Sequence, residues 1–277
     1  MRVFSLGLVS QSTHVSRAQL DAVASAIQLQ VLRDFGPAWD ITATVDAFDS
    51  LDDVPLTYWP MIVADDIPVD AAGIHLDEDF TPYALVNYSN RWTLTASHEA
   101  LEMLADPFGT RFYAARSIKS GQGIVEYLVE VCDPSEAVSF SYLVNGVPVS
   151  DFYLPTYFDP VDVAHARYSF TGAISHPIEV LNGGYLSWRD PASNHWWQQR
   201  WFGSAQPTFH DLGAFSDGDE SYRTWLDREA RKERPESVQG VPDGTHDHTT
   251  LVAAYAIALL DEDGRAARAA RLREQTP

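Results

Sequence analysis

His98 and Glu102 stand four residues apart in the run Ser97-His98-Glu99-Ala100-Leu101-Glu102. On an α-helix that spacing places two side chains on one face, so an imidazole and a carboxylate can hold one cation between them. The segment differs from the His-Glu-x-x-His of zinc peptidases in its last residue, where a carboxylate replaces the second imidazole. Glu99 keeps the position of the general base that takes a proton from water in that chemistry. A carboxylate ligand brings a charge that a neutral imidazole does not, so a zinc ion here would be less electrophilic and would acidify water less. More oxygen donors also widen the choice of ion to manganese, magnesium or calcium, while the histidine favours zinc. On spacing alone, the same residues also suit a solvated helix face with incidental charges.

Two ligands do not close a site. The best source of a further ligand is Glu130-Val131-Cys132-Asp133, which sets two carboxylates three positions apart in an otherwise apolar stretch. A buried carboxylate needs an ion pair, hydrogen bonds or a metal. Asp106 lies two turns beyond His98 but about 80° around the helix, which fits a supporting or helix-terminating role before Pro107 better than direct ligation. His75 reads as a structural histidine on a strand, with a place at the metal or in a substrate cleft as the alternative. Ser97 reads as an early helix position or a capping hydroxyl, since no Gly-x-Ser-x-Gly elbow is present. His246-Asp247-His248 follows the turn-forming Pro242-Asp243-Gly244 and reads as exposed or helix-capping. Gly183-Gly184 lacks the strand, loop and helix pattern of a nucleotide site.

The elements that must position these residues are legible from periodicity. Val3 to Val9 reads as a strand, and Ser16 as the N-cap of a helix running to about Phe35, stopped by Gly36-Pro37. Leu20, Val23, Ala24, Ile27, Val31 and Leu32 give that helix one apolar stripe. Ile41 to Phe48, Trp59 to Ala64, Gly73 to Leu76 and Ala84 to Tyr88 read as strands. Trp92 to Ala105 reads as the helix carrying the candidate site, with Leu94, Leu101 and Leu104 toward the sheet and His98 and Glu102 projecting elsewhere. Gly123 to Ser141 is strand-like and broken by Asp133-Pro134; Val147 to Phe158 continues with Val149, Phe152 and Leu154, until Pro155 and Pro160 interrupt it. Trp196-Trp197 and Trp201-Phe202 read as core packing, Arg228 to Glu236 as a solvated helix surface or linker, Leu251 to Leu260 as a short helix, and Arg265 to Arg273 as a basic tail. This order predicts an α/β (α+β) protein with a mixed sheet covered by helices.

The chain has 277 residues and a formal net charge of -20, from 39 acidic and 19 basic residues. Such a field repels phosphate backbones and anionic membrane surfaces, so no nucleic-acid or membrane partner is expected. Cys132 is the sole cysteine, which excludes an intrachain disulfide and a Cys-rich zinc site. No window approaches the roughly 18 apolar residues of a membrane span, and the start has no signal-peptide pattern. The expected location is cytoplasmic, with virion association or signal-independent export as alternatives.

The run from Trp92 to Pro107, with its Ser-His-Glu-x-x-Glu followed by Asp106-Pro107, and the downstream Glu130-Val131-Cys132-Asp133 together resemble a group of bacterial and phage proteins, with looser fungal relatives, that look like zincin-type metallopeptidases. Gly73-Ile74-His75 and Val149-Ser150-Asp151-Phe152 accompany the resemblance, which spans about Arg2 to Asp159 and leaves residues 160–277 outside it. It implies a zincin-like domain over residues 1–160, with residues 161–277 as a C-terminal extension packed on it. It also implies His98 and Glu102 as zinc ligands, Glu99 as general base, and Glu130 completing the site with Asp133 close by. The function expected is a zinc-dependent peptidase acting on a peptide or protein substrate; the alternative is a non-catalytic structural or interaction protein, phage-associated, on the same scaffold.

Overall fold

In the computed structural model, which describes residues 2–69, 71–78, 80–162, 166–216 and 221–232, the chain is a mixed α+β protein. It divides into two compact units. One takes the described part of Met1–Phe108 together with Leu143–Val149, and the other takes Gly109–Tyr142 and the described part of Ser150–Val238. The boundary read from the sequence, between residues 160 and 161, falls inside the second unit.

The first unit is built on a five-stranded sheet. β1 (Arg2–Ser10) leads through α1 (Arg17–Gln30) into β2 (Ile41–Ala47), and β3 (Trp59–Ala64) pairs on the other side of β1. β5 (Thr81–Asn87) runs parallel to β3, and β4 (Gly73–Glu78) closes the sheet antiparallel to β5, giving the order β2-β1-β3-β5-β4. Parallel neighbours need long crossovers, and α1 supplies the first of them. α3 (Trp92–Ala105) follows β5 and packs on β3, β4 and β5 alongside α1. The other face of the sheet is covered by chain without regular strands, where Leu51, Val54, Ile67 and Val69 pack on Val9, Ile62, Ile74 and Leu85.

Ser16 caps α1 as expected, within a reciprocal capping box with Gln19. Gly36-Pro37 does not stop the helix. Val31–Phe35 widens into a π-helical turn, a further turn, α2 (Gly36–Trp39), follows, and the reversal comes at Asp40 with φ 54°. Pro37 sits at the start of that last turn, where a missing N–H leaves no bond unmade. Gly36 is required because a Cβ there would lie 2.2 Å from the Ile41 carbonyl oxygen and 2.7 Å from that of Val31.

The second unit carries an antiparallel sheet of order β12-β11-β10-β7-β6. Its strands are β6 (Phe112–Arg116), β7 (Ile124–Leu128), β10 (Tyr185–Asp190), β11 (His195–Arg200) and β12 (Thr208–Gly213). The strand expected over Gly123 to Ser141 is therefore short: beyond Leu128 the chain leaves the sheet and makes 3-10 turns at Asp133–Ser135 and Val138–Phe140. Val147 to Phe158 is broken in a similar way, since only β9 (Val147–Val149), paired with β8 (Tyr142–Val144), is regular before a 3-10 turn at Pro155–Phe158. α4 (Tyr222–Arg231) packs Leu226 and Trp225 against Trp196 of β11. Core packing thus holds for Trp196, which is buried, whereas Trp197 is half-buried. The sequence features beyond residue 232, including His246-Asp247-His248, the Leu251 to Leu260 segment and the basic tail, lie outside the described residues.

Candidate functional site

α3 is buried along most of its length, because it lies between the sheet, α1 and β9. That placement overturns the reading of its charged residues as a solvated face: Glu99 and Glu102 are 4% and 0% exposed, and His98 is half-buried. Glu102 does not project away from the sheet as expected, and Glu99 lies on the same side. Their carboxylates come toward His75 on the edge strand β4, whose Nδ1 lies 3.6 Å from Glu99 Oε2 and 4.0 Å from Glu102 Oε2.

The pair read from the spacing does converge. His98 Nε2 lies 3.2 Å from Glu102 Oε2. Two donors on one tetrahedral zinc, each about 2.05 Å from the metal, are roughly 3.3 Å apart, so this donor pair fits a shared cation. The same distance serves a direct hydrogen bond when one partner carries a proton.

Asp106 ends α3. It is the C-cap residue of α3, its N–H donates to the Glu102 carbonyl at 2.7 Å, and its own carbonyl oxygen lies 3.0 Å from His75 Nε2. A carbonyl oxygen only accepts, so Nε2 carries the hydrogen and donates it. This bond orients the His75 ring. Gly73, two residues earlier on β4, lets the helix approach: a Cβ there would sit 2.7 Å from Glu99 Oε1 and 2.5 Å from Thr95 Cγ2.

Ser97 is neither an early helix position nor a cap. It is in the middle of α3 and donates to Gln30 Oε1 at 2.8 Å, tying α3 to α1 inside the core. β4 is an edge strand, but Gly73, Ile74 and His75 are all buried.

Glu130 and Asp133 belong to the second unit and are buried there. Glu130 forms an ion pair with Arg223 of α4, Nη1 to Oε2 at 2.7 Å, both side chains about 5% exposed. Arg223 was missed by the sequence reading, and the signal available was the buried carboxylate's need for a partner. Asp133 opens the 3-10 turn, and its carbonyl lies against Gly184, where a Cβ would approach it to 2.5 Å. Gly183-Gly184 thus serves a close backbone approach. Cys132 is buried and free of a disulfide.

No protein-family model, curated protein or solved structure matches the chain.

Proposed function

We propose that the chain is a metal-dependent hydrolase of peptide bonds, with His98 and Glu102 as ligands on α3 and Glu99 as the general base. The observation that carries this reading is the 3.2 Å approach of His98 Nε2 to Glu102 Oε2 across one helical turn. The resemblance to zincin-type peptidases supports it, as does a mixed sheet with an antiparallel edge strand beside the ligand helix. A divalent ion held there, zinc first, would supply Lewis acidity to polarise a carbonyl and to ease deprotonation of water. Glu99, held in a low-dielectric slot, would accept the proton; Asp106 and His75 brace the end of the helix. A single buried cysteine fits a reducing, cytoplasmic setting.

Elemental analysis of the purified chain should find about one divalent ion lost on His98→Ala, and Glu99→Gln should keep that ion while turnover of a peptide library falls about 10²- to 10⁴-fold. Unchanged metal content in His98→Ala would remove the ligand assignment, and unchanged turnover in Glu99→Gln would remove the base.

One observation favours a second reading, a non-catalytic structural or interaction protein on the same scaffold. The proposed base and the first half of the edge strand are buried, which narrows the approach of an extended substrate. A metal-replete chain that cleaves no peptide library would decide for it.

A further inference from the structure

We infer that Glu102 also faces a second cation position, on the side of β4, whose donors are His75 Nδ1 and the carboxylates of Glu99 and Glu102, and that it takes a divalent transition ion such as zinc or manganese. One ligand atom from each of these three residues lies within 4.8 Å of the others, and all three residues are buried. The set comes from two elements of the first unit, so the fold of that unit assembles it whole.

The orientation of His75 carries the argument. Its Nε2–H donates to the Asp106 carbonyl, and the ring nitrogen left to face Glu99 and Glu102 is Nδ1. In metal sites the ligating histidine commonly gives its other N–H to a backbone carbonyl or carboxylate, which fixes the ring for ligation. Two carboxylates one turn apart on α3 share the same buried space with that ring nitrogen, and a divalent ion at its centre would take one oxygen from each carboxylate together with the nitrogen.

Gly73 makes room for the Glu99 side chain beside β4. A side chain at that position would collide with Thr95 and with Glu99 at both Oε1 and Cγ, so the strand keeps clear the space that the Glu99 carboxylate occupies. One imidazole with two carboxylates is a borderline donor set, suited to zinc or manganese more than to calcium. Glu102 would then lie between two ions, as bridging carboxylates do in two-metal centres. The inference does not rest on the hydrolase reading: an ion at this position would engage the Glu99 carboxylate as a ligand and so stands as an alternative to the proton-accepting role proposed for Glu99 above.

The two positions differ in which histidine nitrogen they use, Nε2 of His98 and Nδ1 of His75, and that makes them separable. The full chain, labelled with ¹⁵N-histidine and stripped with chelator, is titrated with ¹¹³Cd²⁺ as a magnetic stand-in for zinc. The expected spectrum contains one histidine whose Nδ1 is split by cadmium while its Nε2 keeps a hydrogen. That signal should persist in His98→Ala and disappear in Glu99→Gln, which is nearly isosteric and leaves the core filled. Calorimetry with Zn²⁺ should show the matching class of site weakened about 100-fold or more in Glu99→Gln. A spectrum with cadmium on Nε2 only, or on no histidine, overturns the inference, as does an Nδ1 signal that survives Glu99→Gln. Loss of the Nε2 signal alone would instead count against the His98 assignment.

Discussion

Arg223 and Glu130 show a buried carboxylate meeting a buried guanidinium. The carboxylate in the apolar stretch before Asp133 demanded a partner, and the guanidinium of α4 supplies it at 2.7 Å, with Asp227 3.7 Å from Arg223 Nε on the next turn. Asp227 in turn accepts from the Tyr185 hydroxyl at 2.8 Å. Removing one member strands the other, so Arg223→Leu should cost about 3–5 kcal/mol in urea unfolding. The double variant Arg223→Leu with Glu130→Leu should recover part of that loss, because the Glu130 charge leaves with its partner while Asp227 keeps Arg231 at 3.7 Å. A single variant within about 1 kcal/mol of the parent would mean that the pair contributes only what an exposed one does.

The helix that opens the first unit shows how an element can outrun its sequence signals. Gly36-Pro37 has the composition of a stop, yet the π-helical turn before it rearranges the carbonyls so that proline opens one more turn. The glycine is there for space and not for an unusual dihedral, since its φ is -59°. Gly36→Ala drives a Cβ into the backbone carbonyls of Ile41 and Val31, and rigid backbone yields less readily than the end of a side chain. Thermal or urea unfolding should register a loss of about 1–3 kcal/mol, where an ordinary helix interior would gain from the same change. A gain in stability would show that the crowding is relieved at no cost. α3 is the contrasting case, beginning and ending where its periodicity places it, with Asp106 turning the chain before Pro107.

Across the whole molecule, charge governs solution behaviour more than it governs the fold. No helix among the described residues is long and apolar enough to cross a membrane, and the formal net charge is -20. Most ion pairs on the surface contribute little, but one gives a pH signature. The exposed His176 has its pKa raised above 6.5, chiefly by the hydrogen bond from its Nδ1 to Asp162 at 2.7 Å and next by that carboxylate's charge. A raised histidine pKa stabilises the folded state fully below 6.5 and loses that contribution as pH climbs through the folded value. The unfolding midpoint of the parent should therefore exceed that of His176→Ala at pH 5.5, and the two should converge by pH 9. A difference that grows with pH would contradict the assignment.

Periodicity in the sequence was enough to locate β1 through β3, the β4–β5 hairpin, α3 and the capped start of α1, because each reads its environment locally: alternation for a strand, three- and four-residue steps for a helix, a serine for an N-terminus. The 98-to-102 clamp was legible for the same reason, since helix geometry alone brings those side chains together. The sequence could not show which charged residues would lose their water. Glu99 and Glu102 are buried by non-local packing, to which the sheet, α1 and β9 around α3 contribute. His75 joins them because an antiparallel edge strand lies beside that helix, and Arg223 answers Glu130 from 93 positions along the chain. Contacts of that kind depend on how distant segments pack, and only the tertiary structure decides them.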